Sequence, residues 1–517
     1  MTAPPDTQAA IALNRHGLGA RPDEPQPPDP KAWLLAQFER YEPLPPAWDG
    51  LPGSAPLAVA YTDYQRELRQ ASAADEPALR QKLNRFSQET YRAAVNARVA
   101  SALVTPAPFA ERLVHFWANH FAVSIEKPPL AALAGAFEVE AIRPHVFGRF
   151  EDMLVAVERH PAMLLYLDQA RSTGPGSTLG RRAARNNPER LRGLNENLAR
   201  EIMELHTLGV RSGYNQEDVT ELARALTGWS VGGLPGLPAA GTPGAFVFQP
   251  LMHESGARSV LGKGYERSGE AQASAILHDL AVAPATARHI AMKLARHFAG
   301  DTPAPALVER LAGTFLRSRG HLPAVYRALL DAPEAWDPAP AKFKTPWEWA
   351  LSSLRGLGLR CGSARLACCL WLATNAAVVS IADRSARVAR SRAGGRPGLG
   401  SGSRPARPRR AKRARQCSTV LRATPSRAAI ATLVSPSSAS RRMRARCFCA
   451  VDILFFCATP ALSVSLSCGR SRMPCFGGRD CCSTIFGRSS SRMRSRCAWT
   501  IRHRSMCAMD WAAAIWS

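Results

Sequence analysis

Cysteine is absent from residues 1–360 of this 517-residue chain, and glutamate is absent from residues 361–517. All 13 cysteines lie in the second stretch, together with 27 Arg, one Lys and four Asp. Of the formal net charge of +26, a share of +24 therefore belongs to residues 361–517 and +2 to residues 1–360. A body so close to neutral gives no electrostatic reason to bind nucleic acid. Its lack of cysteine fits either redox compartment. Long apolar runs are missing too: no stretch reaches the roughly 18 residues that a membrane-spanning helix needs. The opening MTAPPDTQAAIALNRHGLG has no basic segment followed by an apolar one, so it reads as a cytoplasmic chain without a signal peptide. Nor is there a G-x-S-x-G, a Walker loop or a G-x-G-x-x-G opening a helix, which leaves a serine elbow or a phosphate loop unsupported.

The tail, residues 360–517, is compositionally foreign to the body. At an ordinary glutamate content of roughly 6%, a stretch of 157 residues would hold about nine. The segment RARCFCAVDILFFCATPALSVSLSCGR sustains neither a helical nor a strand period. Arg, Ser, Ala, Gly and Cys without Glu is what a GC-rich gene yields out of frame. The expectation is a frameshifted or misassembled C-terminus beginning near residue 360, without regular structure. Two functional alternatives compete with it. A nucleic-acid-binding arm would be Arg-rich, but such arms mix Lys with Arg and are not laden with cysteine. A zinc module needs pairs spaced C-x2-C, and the tail offers only Cys368–Cys369, Cys447-x-Cys449 and Cys481–Cys482.

The body reads as mainly α, a multi-helix domain over residues 56–359 with one small β-hairpin, preceded by a Pro-rich segment, 1–55, that holds one short amphipathic piece, KAWLLAQFERY. Periodicity predicts helices over 57–103 with a polar break near 72–76, and over 106–122, 130–142, 147–159 and 161–168. Residues 171–185 read as a loop. A further helix starts at Asn187-Pro188-Glu189 or nearer Asn195 and stops at Gly209. Asn215, with Asp218 three residues on, is an N-cap. The hairpin is placed at about 245–262, and helices follow over 284–299, 305–318, 322–330 and 345–357. Trp117 and Trp229 read as core anchors.

Polar residues inside apolar stripes mark the candidate site. Leu113, Phe116, Trp117 and His120 follow i, i+3, i+4, i+7 spacing, and so do Ile290, Lys293, Leu294 and His297. Lys293, His297 and His120 thus stand where core residues belong, and desolvating a lysine costs several kcal/mol unless it is paired. On LNENLAREIMELHTLG, Asn197, Glu201 and Glu204 lie within about 60° on a helical wheel, while Asn195 and His206 flank the opposite edge. The expected set is Glu201, Glu204, His120, His297 and Lys293 as acid–base groups. Within it His120, His297 and Glu201 supply ligand types for a divalent metal cofactor. No HExxH or ExxH pair supports the metal. The bland alternative is a set of solvated edge residues and structural ion pairs. His253, on a polar loop with Glu254, Arg258 and Lys263, is a weaker candidate that reads equally as an exposed turn.

These segments resemble the bacterial family known as domain of unknown function 1800, from about residue 11 to 359. The resemblance rests on ALNRHGLGARP, RLVHFWANHFAVS, HPAMLLYLDQARS, NENLAREIMELHTLGVRSGYNQEDVTELARALTGW, FVFQPLMHESGARSVLGK, ARHIAMKLARHFAGD and KFKTPWEW. It implies a mostly helical fold and a neighbouring-gene partner of the domain of unknown function 1501 family. It implies no activity. Many relatives look exported, a departure from the cytoplasmic reading. Two functions are carried forward: a noncatalytic scaffold or partner-binding protein, and a hydrolase-like or metal-dependent enzyme built on the Glu/His/Lys set.

Overall fold

The computed structural model describes residues 5–186, 193–233, 241–339 and 342–360. The expectations for residues 361–517, and for a helix start at Asn187, lie outside them. In chain order the α-helices are α1 Pro5–Ile11, α2 Pro30–Leu35, α3 Gln37–Arg40, α4 Ser54–Gln70, α5 Glu76–Val104, α6 Pro108–His120, α7 Pro128–Phe137, α8 Phe150–Arg159, α9 Pro161–Tyr166, α10 Thr178–Asn186, α11 Asn197–Glu201, α12 Gln216–Leu226, α13 Glu270–Ala281, α14 Pro284–Phe298, α15 Pro305–Arg317, α16 Leu322–Asp331 and α17 Pro346–Gly356. The fold is mainly α. Among the described residues no helix is long and apolar enough to cross a membrane.

Helix α6 is the axis of the core. Phe109, Leu113 and Trp117 are fully buried on it, and Trp117 Nε1 donates to the Tyr326 hydroxyl at 2.7 Å, which donates to the Val146 carbonyl at 3.1 Å. A buried indole and phenol thus satisfy each other instead of leaving polar atoms unpaired. Trp229 is fully buried as well. The polar break near 72–76 does divide α4 from α5, and Asn215 and Asp218 form the expected capping box on α12. Thr345 and Glu348 form another on α17.

The N-terminal segment joins the same core. Ala12 and Leu34 are fully buried there, and residues 12–16 form a π-helical turn. That turn sets His16 among Phe109, Phe298 and Trp336, with ring centroids 6.3, 6.1 and 5.0 Å away. Burial, then the cations Arg112 and Arg15, push His16 down to about 3, so it is a neutral core group. Arg355 Nε donates to the Gly19 carbonyl at 3.0 Å, and Gly19 has φ +108 with Ser352 so close that a Cβ would sit 2.8 Å from its side chain. The glycine therefore permits α17 to close over the N-terminal motif.

Two expectations are corrected, and one helix has no counterpart among them. The strand β2, Phe246–Phe248, pairs antiparallel with β1, Trp229–Val231, while β3, Arg258–Val260, pairs with β4, Lys263–Tyr265. There are two small strand pairs rather than one hairpin, because the partner of an alternating stretch is chosen by burial against Trp229 and not by proximity in sequence. Residues 178–186, expected as loop, are helix α10, whose Ser177 hydroxyl accepts from the Gly180 amide at 3.0 Å, a cap that the sequence did display. The helix without a counterpart is α13, Glu270–Ala281.

Candidate functional site

Helices α6 and α14 run side by side in opposite directions, and their facing edges carry the unusual residues. Arg112, Phe116 and His120 succeed one another at four-residue steps on α6, as do His289, Lys293 and His297 on α14. Arg112 meets His297 at one end of this seam, and His120 meets His289 at the other, with ring centroids 6.1 Å apart. Phe116 stands against both His297 and His120, at 5.3 and 6.4 Å. The two histidines expected in one centre thus occupy opposite ends of the seam.

At the His120 end the third element is the short helix α11 and the π-helical turn that continues it, residues 202–206. On an α-helix of 3.6 residues per turn, Glu201 and His206 would point about 140° apart. The π-turn, with its i to i+5 hydrogen bonding, brings them toward one side. His206 Nδ1 donates to the buried Glu158 carboxylate on α8 at 2.8 Å, and its charge acts on Glu201. His206 and Glu158 are therefore members of the cluster that the helical wheel missed. The signal was the spacing of a π-turn, which a uniform 100° wheel cannot show.

The imidazoles here have defined partners. His120 Nε2 donates to the His206 carbonyl and His289 Nε2 to the Leu205 carbonyl, both at 3.1 Å. The last carbonyls of a helical turn lack intrahelical partners, and these two ring N–H groups supply them. Gly209, φ +91, closes the turn; a Cβ there would lie 2.9 Å from His289 Nδ1, so the glycine is what lets the ring approach. His120 Nδ1 and Glu158 Oε2 have no hydrogen-bond partner among the described residues.

Burial sets the protonation states. It pushes His120 well below its ordinary value, with Lys293, His206 and His289 acting the same way. His289 falls to about 4, through burial and then Lys293. Lys293 itself is lowered to about 8 by desolvation. Glu201 is raised, chiefly by burial; His206 pulls it down, while Glu204 and Glu158 push it up.

Glu204 turns away from this group. It pairs with Arg200 at 3.2 Å, next to Glu196, on the half-exposed side of α11. His297 belongs to the other end: its Nε2 accepts from Arg112 Nε at 3.2 Å, and its pKa is well below the usual value through burial and then Arg112. Arg112 also donates to the Gly17 carbonyl at 3.0 Å and to Glu348. Among the described residues no three His, Cys, Asp or Glu side chains converge to hold a metal, and His120 and His297 lie at opposite ends of the seam. His253 is buried, not on an exposed turn: its Nδ1 donates to the Thr227 carbonyl at 2.9 Å, while the neighbouring Glu254 carboxylate accepts from the Gly176 amide at 3.0 Å.

No curated protein and no solved structure matches the chain. A family model described as "Protein of unknown function (DUF1800)" matches residues 11–391. The match runs past Leu359 into the first cysteine-bearing stretch, so the family pattern extends further than composition suggests. With nearly three quarters of its length matched, the chain belongs to the DUF1800 family.

Proposed function

We propose that this chain is a noncatalytic helical scaffold that binds a partner protein. One observation carries the reading: of the two histidines expected as catalytic, His120 is neutral and donates to the His206 carbonyl at the end of a helical turn, and His297 accepts from Arg112. Groups engaged in holding backbone are poorly placed to shuttle protons. The partner class implied by the family resemblance is the neighbouring-gene product of the domain of unknown function 1501 family. Co-expression should give a complex that survives gel filtration and is unchanged in Glu201→Gln and Lys293→Met. Absence of a complex, together with a small molecule that raises the melting temperature of the wild type and not of Lys293→Met, would replace the scaffold by an enzyme.

A second reading is favoured by one feature, the occurrence around one cluster of a lowered lysine and a raised carboxyl. Lys293 at about 8 and Glu201 above its usual range are displaced in opposite directions toward neutrality, a pattern common where acid–base chemistry occurs. In that reading Lys293 and Glu201 are the acid–base groups, and a divalent metal is the one cofactor class the sequence suggests. The chain is organised as an N-terminal segment 1–55, a family domain 56–359 and a tail 360–517 that is the product of a reading-frame change. Resequencing the gene between codons 360 and 391 tests the tail, and an uninterrupted frame encoding the same residues would refute it.

A further inference from the structure

At the Arg112 end of the seam a cleft of about 310 Å³ opens between the N-terminal helix and the segment leading into α17. It is lined by Arg15, Arg112, Lys342 and Lys344, with Thr7 and Asn14 as neutral polar groups, and among the described residues no carboxylate lines it. The acids nearest to it are already paired with cations of its wall. Glu348 pairs with Arg112, and Asp301 lies 3.4 Å from Lys342. Arg15 donates to the carbonyls of Ala335, Asp337 and Ala339, and Asp337 offsets its charge. Lys344 is the surplus: it makes no contact ion pair among the described residues, and it is more than half withdrawn from water, facing the like charge of Arg112 with only Glu348 to offset it. Gathering like charges in a partly enclosed space is unfavourable without a counter-charge.

We propose that this cleft binds the oxyanion group of a small molecule, a phosphoryl or carboxylate group, with Lys344 and Lys342 as its charged contacts. Arg112 and Arg15 set the field from fixed positions, and Thr7 and Asn14 offer hydrogen bonds to the same group. Ala10, Ile11 and Pro338 leave an apolar wall for the rest of the ligand.

The test is calorimetric titration of the full chain with inorganic phosphate and, separately, with succinate, at constant ionic strength held by chloride. The Arg-rich tail adds the same background to every variant, so the difference between variant and wild type reports on the cleft. Lys344→Gln and Lys342→Gln should each weaken binding about tenfold, with Lys344→Arg restoring most of it. Phosphate alone responding identifies a phosphoryl ligand, and succinate alone a carboxylate one. Equal titrations for wild type and both Gln variants, with unchanged circular dichroism, would overturn the site. Lys342→Gln also serves as the second variant should Lys344→Gln fail to fold.

Discussion

The two ends of the α6–α14 seam solve the same problem in different ways. At one end Arg112, fully charged, is matched to Glu348, to the Gly17 carbonyl and to a neutral His297. At the other, His120 and His289 are neutral and donate to backbone, while Lys293 is a cation that burial weakens. An arginine cannot shed its proton, so its burial demands a permanent acid. Lysine and histidine can neutralise instead, so their burial demands only an acceptor and a depressed pKa. One end is therefore held by charge pairing and the other by protonation state.

Breaking the charge-paired end should have the largest effect. Arg112→Met leaves Glu348 and the Gly17 carbonyl unsatisfied in the interior and should cost about 3–5 kcal/mol in urea denaturation. A loss below about 1 kcal/mol would mean that the pair is not structural. At the other end the sign reverses. Lys293 has a folded pKa of about 8 against an ordinary 10.5, so its contribution is intact above pH 10.5 and is lost as pH falls through 8. Lys293→Met should therefore stabilise the protein by about 1–3 kcal/mol near neutrality, with no gain above pH 10.5. Destabilisation at pH 7 would show that the interactions of Lys293 outweigh the cost of desolvating it.

The smallest effect is a slope. His120 is depressed from 6.5, so its contribution is complete above pH 6.5 and declines as the medium acidifies. His120→Phe should remove up to about 1.4 kcal/mol per pH unit from the acid dependence of stability, the full value being reached about one pH unit below that point. Glu348, which burial alone would raise, is held at about 2 by Arg112 and then His297, so its contribution fades only as pH falls from 4.5 through 2. The slope lost in His120→Phe must therefore appear above pH 4.5. An unchanged slope between pH 6.5 and 4.5 would show that His120 titrates normally.

Much of this was legible beforehand, and for local reasons. Asn215 with Asp218 and the break between α4 and α5 are short-range signals that packing had no cause to override. Lys293 and His120 stood out because each interrupts an apolar stripe, and they do lie near one another. What failed was anything that needed a non-uniform helix or a distant partner. His206 was placed on the wrong edge because the turn containing it is π rather than α. His297 is grouped with His120 in the sequence because each interrupts an apolar stripe on its own helix, yet the antiparallel seam sets His297 beside Arg112 instead. Strand β2 found its partner at Trp229, across a segment whose sequence names no register.

The sequence by itself determined the helical class, the family, most helix limits and which polar residues would be forced out of water, because those follow from periodicity and capping within a few residues. The tertiary structure alone decided which buried groups meet, which carbonyls receive their protons and where four cations converge with no acid between them among the described residues. Such pairings join elements far apart in the chain, and their energies depend on burial and distance, neither of which a residue order contains.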